Sequence, residues 1–377
     1  MTPDGTHPGD EQPRRAASKR AWLALFAAVS LVSSPIQAEP AAPMAPLLAY
    51  FGLAPKDLQK LGDGPVVVEV EVSDRKRQAA FAGLIRIRGA DRNLFLGPSP
   101  LDSSPLDASP LDSSLLDARA SLPPSFLAPA QYGRFSNPAR VGDLAALTLA
   151  DDDYAVLSEC KPANCRFKLD ASGIREAGAL DWKAEGARER FLDWFRPSLV
   201  AEVSQYRKVG PSGLITYADK PAPYPVAQGI VQLGQEARPV LDLYPALAQA
   251  LDAAPGMGSD SPTASLDTVI WSVSDFGYRP TLSVDRLILY EGSRAVMALI
   301  NLYSNHYLAG RLQLGGIILD GQLPGVSGDF FWVLDQLLFD DSLSGFKRSL
   351  LGRGLKSDLS DRLKRIRKNG ETLLAPQ

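Results

Sequence analysis

The last third of this 377-residue chain sets five apolar runs one after another, and that succession limits the folds open to it. The runs are 268–273, 281–290, 294–303, 306–319 and 330–339, with turn signals between most of them. Strands that follow each other without helix-length connections pair with their neighbours, so the pattern predicts an antiparallel meander. A helix is predicted from Leu343, with Phe346, Leu350, Leu351, Leu355, Leu359, Leu363 and Ile366 marking one face. The expected fold class is α+β: a β-meander in the C-terminal third, packed by long helices and a C-terminal helix.

Upstream, 66–72 and 81–88 alternate at the period of half-buried strands around a charged turn at 74–78, which predicts a hairpin. A short helix is expected over 47–61 and strand character over 143–149 and 166–169. The longest helical pattern is 182–208, where Phe191, Trp194, Phe195, Leu199, Val203 and Tyr206 recur at three- and four-residue steps. Pro197 is expected to kink or divide it. A short strand at 214–217 and a helical stretch over 226–253, crossed by Pro239 and Pro245, complete the middle. Asp151, Asp152 and Asp153 read as the capped, solvated start of a helix over 154–159. As an alternative they offer carboxylates to a cation.

The N-terminus reads as a secretory leader over 1–38. Arg14, Arg15, Lys19 and Arg20 precede an apolar run over 21–32, and Ala38 supplies a small residue for cleavage. The run is too short to span a bilayer, which needs about 20 apolar residues. General secretion fits better than a twin-arginine route, because Ala-Ala-Ser-Lys follows the arginine pair. The expectation is export to the periplasm or the extracellular space. The leader carries four basic and three acidic residues, so its loss takes the formal charge from −3 to −4. Nothing in that balance points to nucleic acid. Its loss also removes His7 and leaves His306 as the single histidine beside two cysteines. A closed zinc site of Cys and His needs four ligands, so no metal is expected. No P-loop, dinucleotide fingerprint or nucleophile elbow occurs, and no cofactor is expected.

Pro100-Leu101-Asp102-Ser103-Ser104 repeats from Pro105 and Pro110 and decays from Leu115. A five-residue period with a proline in each unit suits an extended surface insertion at about 98–120. Cys160 and Cys165 have four residues between them. In an oxidising compartment that spacing predicts a structural disulfide, since Cys-x-x-Cys is the usual redox spacing. The expected organisation is therefore a leader (1–38), a flexible mature N-terminus with a short helix (39–64), one α+β domain (65–369) and a tail (370–377).

Four segments carry a resemblance: Phe276-Gly277-Tyr278-Arg279-Pro280-Thr281, Leu302-Tyr303-Ser304-Asn305-His306-Tyr307-Leu308, Leu343-Ser344-Gly345-Phe346, and the Leu-x-x-Cys-x-Pro-x-x-Cys around the cysteine pair. On these the chain resembles an uncharacterised family of secreted proteobacterial proteins over most of 140–356, with the repeat outside. That resemblance implies no activity. The element order also resembles the helix-grip fold of START-like and polyketide-cyclase-like proteins. There, antiparallel strands curve around a long C-terminal helix and leave an apolar cavity, an analogy of fold and not of activity.

His306 is the strongest local candidate. Alternation along 306–314 would put His306, Leu308, Leu312 and Leu314 on one face, with Tyr307, Arg311 and Gln313 on the other. His306 is then either a buried, hydrogen-bonded residue or, with Tyr303 and Tyr307, a polar anchor in a ligand cavity. A catalytic base would need an orienting carboxylate that the sequence does not locate. On the C-terminal helix, Lys347, Arg348, Arg353 and Lys356 belong to a basic face that is either solvated or in contact with anionic lipid. The leading expectation is a non-catalytic protein that binds a hydrophobic molecule or lipid. The alternatives are a hydrolase with paired carboxylates and an envelope scaffold or assembly factor.

Overall fold

A computed structural model describes residues 44–59, 64–87, 130–253, 264, 266–276, 279–290, 295–323 and 325–373. The expected leader and the five-residue repeat lie outside the described residues. The five runs form β6 (Leu266–Phe276), β7 (Arg279–Tyr290), β8 (Val296–Ser304), β9 (Leu308–Ile318) and β10 (Asp329–Phe339), each antiparallel to the next. The predicted hairpin is β1 (Val66–Val70) with β2 (Gln78–Ile87), turned by Asp74, whose carboxylate accepts from the Lys76 amide at 3.0 Å. β2 pairs with β10, and β3 (Gln131–Arg134) pairs with β6 at the opposite edge. The result is one eight-stranded antiparallel sheet in the order β1-β2-β10-β9-β8-β7-β6-β3. Together with the helices below, it makes the fold α+β.

Both faces of the sheet are covered, so its central strands are buried along their whole length and hide the alternation of a half-buried strand. One face, with Trp271, Val284, Ile300, Leu312, Leu314 and Trp332, belongs to the larger hydrophobic core. The helices on that side begin with α1 (Ala45–Tyr50) and α2 (Pro55–Gln59), which Gly52 separates at φ 69° where one helix is expected. They continue with α3 (Asp151–Ser158), α4 (Ala171–Ala179) and α5 (Ala187–Val209). α5 runs unbroken through Pro197 and is not divided there. Its aromatic stripe is core: Phe191 and Phe195 stack at 5.5 Å between centroids. Residues 216–217 (β4) and 224–225 (β5) make a small ladder. The proline-crossed stretch then splits into α6 (Val226–Glu236), α7 (Arg238–Leu241) and α8 (Pro245–Asp252), the latter two with proline in their first turns.

Two expected strands are absent. Residues 141–144 form a 3-10 turn, because the Asp143 carboxylate gathers the Ser136 and Arg140 amides at 2.9 and 2.8 Å and closes the chain locally. Residues 166–169 bend at 166–167, continue as irregular chain and lie outside any ladder. The second face of the sheet meets α9 (Gly345–Leu373), which packs on β2 and β1 and buries Leu359, Leu363 and Ile366. This helix runs beyond the expected domain end at 369. Phe346 and Leu350, counted with that apolar stripe from the sequence, are instead 77% and 43% exposed.

α6 crosses β9 at a point where Gly229 lies against Gly310, so that two backbones approach without side chains between them. Glycine inside a helix costs about 0.5–1 kcal/mol relative to alanine. By propensity alone, both Gly229→Ala and Gly234→Ala would stabilise α6. A Cβ on Gly229, however, would sit 2.8 Å from the Ala309 carbonyl oxygen, whereas one on Gly234 meets nothing within 4 Å. Gly229→Ala is expected to lower stability by about 1–3 kcal/mol, and Gly234→Ala to raise it by up to about 1 kcal/mol. Denaturant midpoints of the two variants check the pair.

Candidate functional site

The β8–β9 connection is where the sequence concentrates polar chemistry. Residues 305–307 are a tight turn and not the first positions of a strand, with Tyr307 in the left-handed region at φ 57°. The expected alternation therefore does not run from His306 into β9. The β9–β10 register also shifts beside Leu308, which puts Leu308 with the α9-side cluster while Leu312 and Leu314 face the helices.

His306 is 3% exposed. Its Nδ1 lies 3.0 Å from the Arg166 carbonyl oxygen and its Nε2 lies 2.6 Å from Asp153 Oδ1. A carbonyl oxygen only accepts, so Nδ1 carries a proton, and a second proton lies between Nε2 and the carboxyl. Neither ring nitrogen is left for a substrate. The carboxylate that the sequence could not locate is thus Asp153, brought to the ring from 153 residues away. Its Oδ2 also accepts from the Ala150 amide at 3.1 Å at the start of α3. Of its neighbours, Asp152 is exposed and Asp151 pairs with Arg188 at 2.5 Å. The three carboxylates do not converge, and among the described residues no cluster of His, Cys, Asp or Glu is placed to hold a metal ion.

The rest of the turn is tied to the same segment. Cys160 and Cys165 form the expected disulfide, 4.4 Å apart at Cα, and anchor the chain just before Arg166. The Lys168 amide donates to the Asn305 carbonyl at 2.9 Å, and the Tyr303 hydroxyl donates to the Lys168 carbonyl at 2.8 Å. The Ser304 amide donates to the Tyr217 hydroxyl at 2.9 Å. Lys168 is itself buried, paired with Asp340, with its ammonium 3.9 Å from the centre of the Tyr217 ring. Burial pulls the Lys168 pKa down and Asp340 opposes the pull. Tyr303 and His306 are packed on the helical side, while Tyr307 is half-buried against the α9-side cluster. The three do not converge on a common cavity.

A second polar group crosses the α9 side of the sheet. The Asn301 amide donates to Asp285 Oδ1 at 2.9 Å, and Arg311 makes a two-pronged pair with Asp335 at 2.8 and 2.6 Å. Gln313 stands opposite Asp335, 0% exposed, with neither polar atom of its amide partnered. Burial pushes the Asp285 carboxyl up to about 6 despite the Asn301 bond and the Arg311 charge. On the other side of the sheet, burial pushes the Glu202 carboxyl of α5 up to about 7, against Val284, Leu302 and Tyr303. These two carboxyls lie on opposite faces and do not face each other across one cleft.

The open space lies elsewhere. A cleft of about 530 Å³ separates the end of α5 from α6, α7 and α8, with Ile300 of β8 and Leu312 of β9 as its floor. Its walls include Val209, Ile230, Val231, Leu241, Ala248 and Leu251, with Ser212, Gln235, Arg238, Asp252 and Arg311 as the polar residues of the lining. Asp252 is the one carboxylate among those residues. No local periodicity marks this cleft, because its lining comes from six separate segments. Compared with known proteins, the chain matches no protein-family model and no curated sequence.

Two measurements follow from the buried charges. Removing one partner of a buried pair strands the other, at a cost of about 3–5 kcal/mol. His306→Ala is therefore expected to lower unfolding stability by about that much, read from urea denaturation. For Asp285, a raised carboxyl means that the folded state holds its proton more tightly than the unfolded chain does. Its contribution to stability is then fully present below the unfolded value and is lost as the pH rises through about 6. Asp285→Asn keeps an acceptor for Asn301 and is expected to flatten the fall in stability between about pH 4 and pH 6. Unfolding curves across that range, compared with the wild type, read the difference.

Proposed function

We propose that this is an exported envelope protein that binds a hydrophobic small molecule or lipid in the cleft between α5–α8 and strands β8 and β9, with no catalysis of its own. The observation that carries this reading is the cleft itself. Its volume of about 530 Å³ falls within the roughly 300–1,000 Å³ of small-molecule sites, and apolar walls with a few polar groups are their usual lining. Exposed Val209 and Val231 border it, which supports an apolar ligand over a charged one. His306, Tyr303 and Tyr307 hold the β8–β9 turn together in this reading and are not the anchor. The paired-carboxylate alternative draws no support from the cleft, where Asp252 stands alone among the described lining residues.

Gly234 gives a direct test, because it lines the cleft and a Cβ there meets nothing within 4 Å. Protein purified from a periplasmic fraction is expected to carry a ligand in native mass spectrometry. It should also raise the fluorescence of the apolar probe N-phenyl-1-naphthylamine. Gly234→Phe should keep the unfolding midpoint and lose at least about tenfold in probe affinity, as expected when a filled pocket forfeits about 1.4 kcal/mol or more. Wild-type protein that is empty and indifferent to the probe would overturn the proposal, as would a filled variant that binds like the wild type.

A further inference from the structure

The start of α9 presents a surface that neither the sheet nor the cleft uses. At 3.6 residues per turn, the 13 positions from Phe346 to Leu359 make about 3.6 turns and leave the two residues about 220° apart around the helix axis. Leu359, Leu363 and Ile366 face the sheet, so Phe346 and Leu350 fall on the outward side, one turn apart, which accounts for their exposure of 77% and 43%. Around this apolar ridge stand Lys347, Arg353 and Lys356, all exposed and without an ion-pair partner among the described residues. By rotation, Lys347 lies on one flank of the ridge and Arg353 and Lys356 on the other. From Gly345 to Ser357 the helix carries no carboxylate at all. Arg348 is excluded from this set: it turns inward to the Arg75 and Gln78 carbonyls and to Glu69.

We infer that the first three turns of α9 dock on an anionic lipid bilayer, with Phe346 and Leu350 entering the headgroup layer and Lys347, Arg353 and Lys356 meeting lipid phosphates. Two large apolar side chains ringed by unpaired cations match the chemistry of an interface-seeking helix. A protein partner fits less well, because a stable protein interface covers about 800 Å² on each side and two side chains supply only a fraction of that. A bilayer needs no such area, since a few inserted side chains and the surface charge act together. The inference is independent of the cleft, which lies on the other side of the sheet.

Vesicle co-sedimentation of the mature chain tests it, with phosphatidylcholine vesicles that contain or lack phosphatidylglycerol. Binding is expected only where phosphatidylglycerol is present, and it should weaken as salt is raised. Arg353→Glu with Lys356→Glu should lower partitioning about tenfold or more, given the attraction per cation near such a surface. Phe346→Ser with Leu350→Ser should lower it on the anionic vesicles as well. Both pairs replace exposed side chains, and the unfolding midpoint should stay at the wild-type value. Gly234→Phe should bind vesicles normally, which separates failure of the docking surface from failure of the cleft. The inference is overturned by equal binding to both vesicle types, by no binding to either, or by variants that sediment like the wild type. Retention of the same cations by RNA or by a protein partner in place of anionic vesicles would also overturn it.

Discussion

The pairing of β2 with β10 joins residues 78–87 to residues 329–338 through ten successive partners, and most of the architecture follows from it. Without it the hairpin β1–β2 would be an isolated ribbon, marginal in water, and the meander would end in an open edge at β10. With it, the chain enters the sheet at one edge, crosses to the other as β3, and returns strand by strand to meet its own beginning. The loop closed is long, but closure entropy grows only with the logarithm of length, so ten paired residues offset it. β2 then forms the platform on which α9 lies, and the sheet acquires a second buried face.

A sheet buried on both faces must account for every polar side chain it carries, and two solutions appear side by side. Around the β8–β9 turn most polar groups are matched: both His306 nitrogens, the Tyr303 hydroxyl and the Ser304 amide each have a partner, and only the Asn305 side-chain nitrogen is left without one. That arrangement fastens α3, the segment after the disulfide and the turn to one another, and it leaves the imidazole no chemistry to perform. Across the α9 side the matching is incomplete, since Gln313 faces the Arg311–Asp335 pair with neither end of its amide bonded. Such a group is costly inside a core and stands out for that reason. The space for a ligand lies on the helical side, between the end of α5 and the three helices into which residues 226–253 divide.

Particular elements show how far local reading reaches. The five meander strands and the hairpin were legible because β-branched and apolar runs between turn signals have few other destinations. The disulfide was legible because two cysteines in the whole chain leave one intramolecular pairing. Residues 143–149 were misread as strand, since a single carboxylate collecting backbone amides at their start outweighs an apolar run too short to define a period. Phe346 and Leu350 were misassigned because a stripe counted in three- and four-residue steps drifts around a helix longer than five turns. The facing of Leu308 was lost to a register shift, which only the partner strand imposes.

The sequence by itself determined the α+β class, the antiparallel meander, the helix that follows it and the cysteine bond, because each depends on neighbours along the chain or on a count of residue types. Only the tertiary structure decided that Asp153 meets His306, that β2 completes the sheet through β10, and that a cleft of about 530 Å³ lies under α6 and not at the histidine. Each of these is a contact between segments far apart in sequence. Such contacts are selected by the packing of whole elements against one another, which no local pattern encodes.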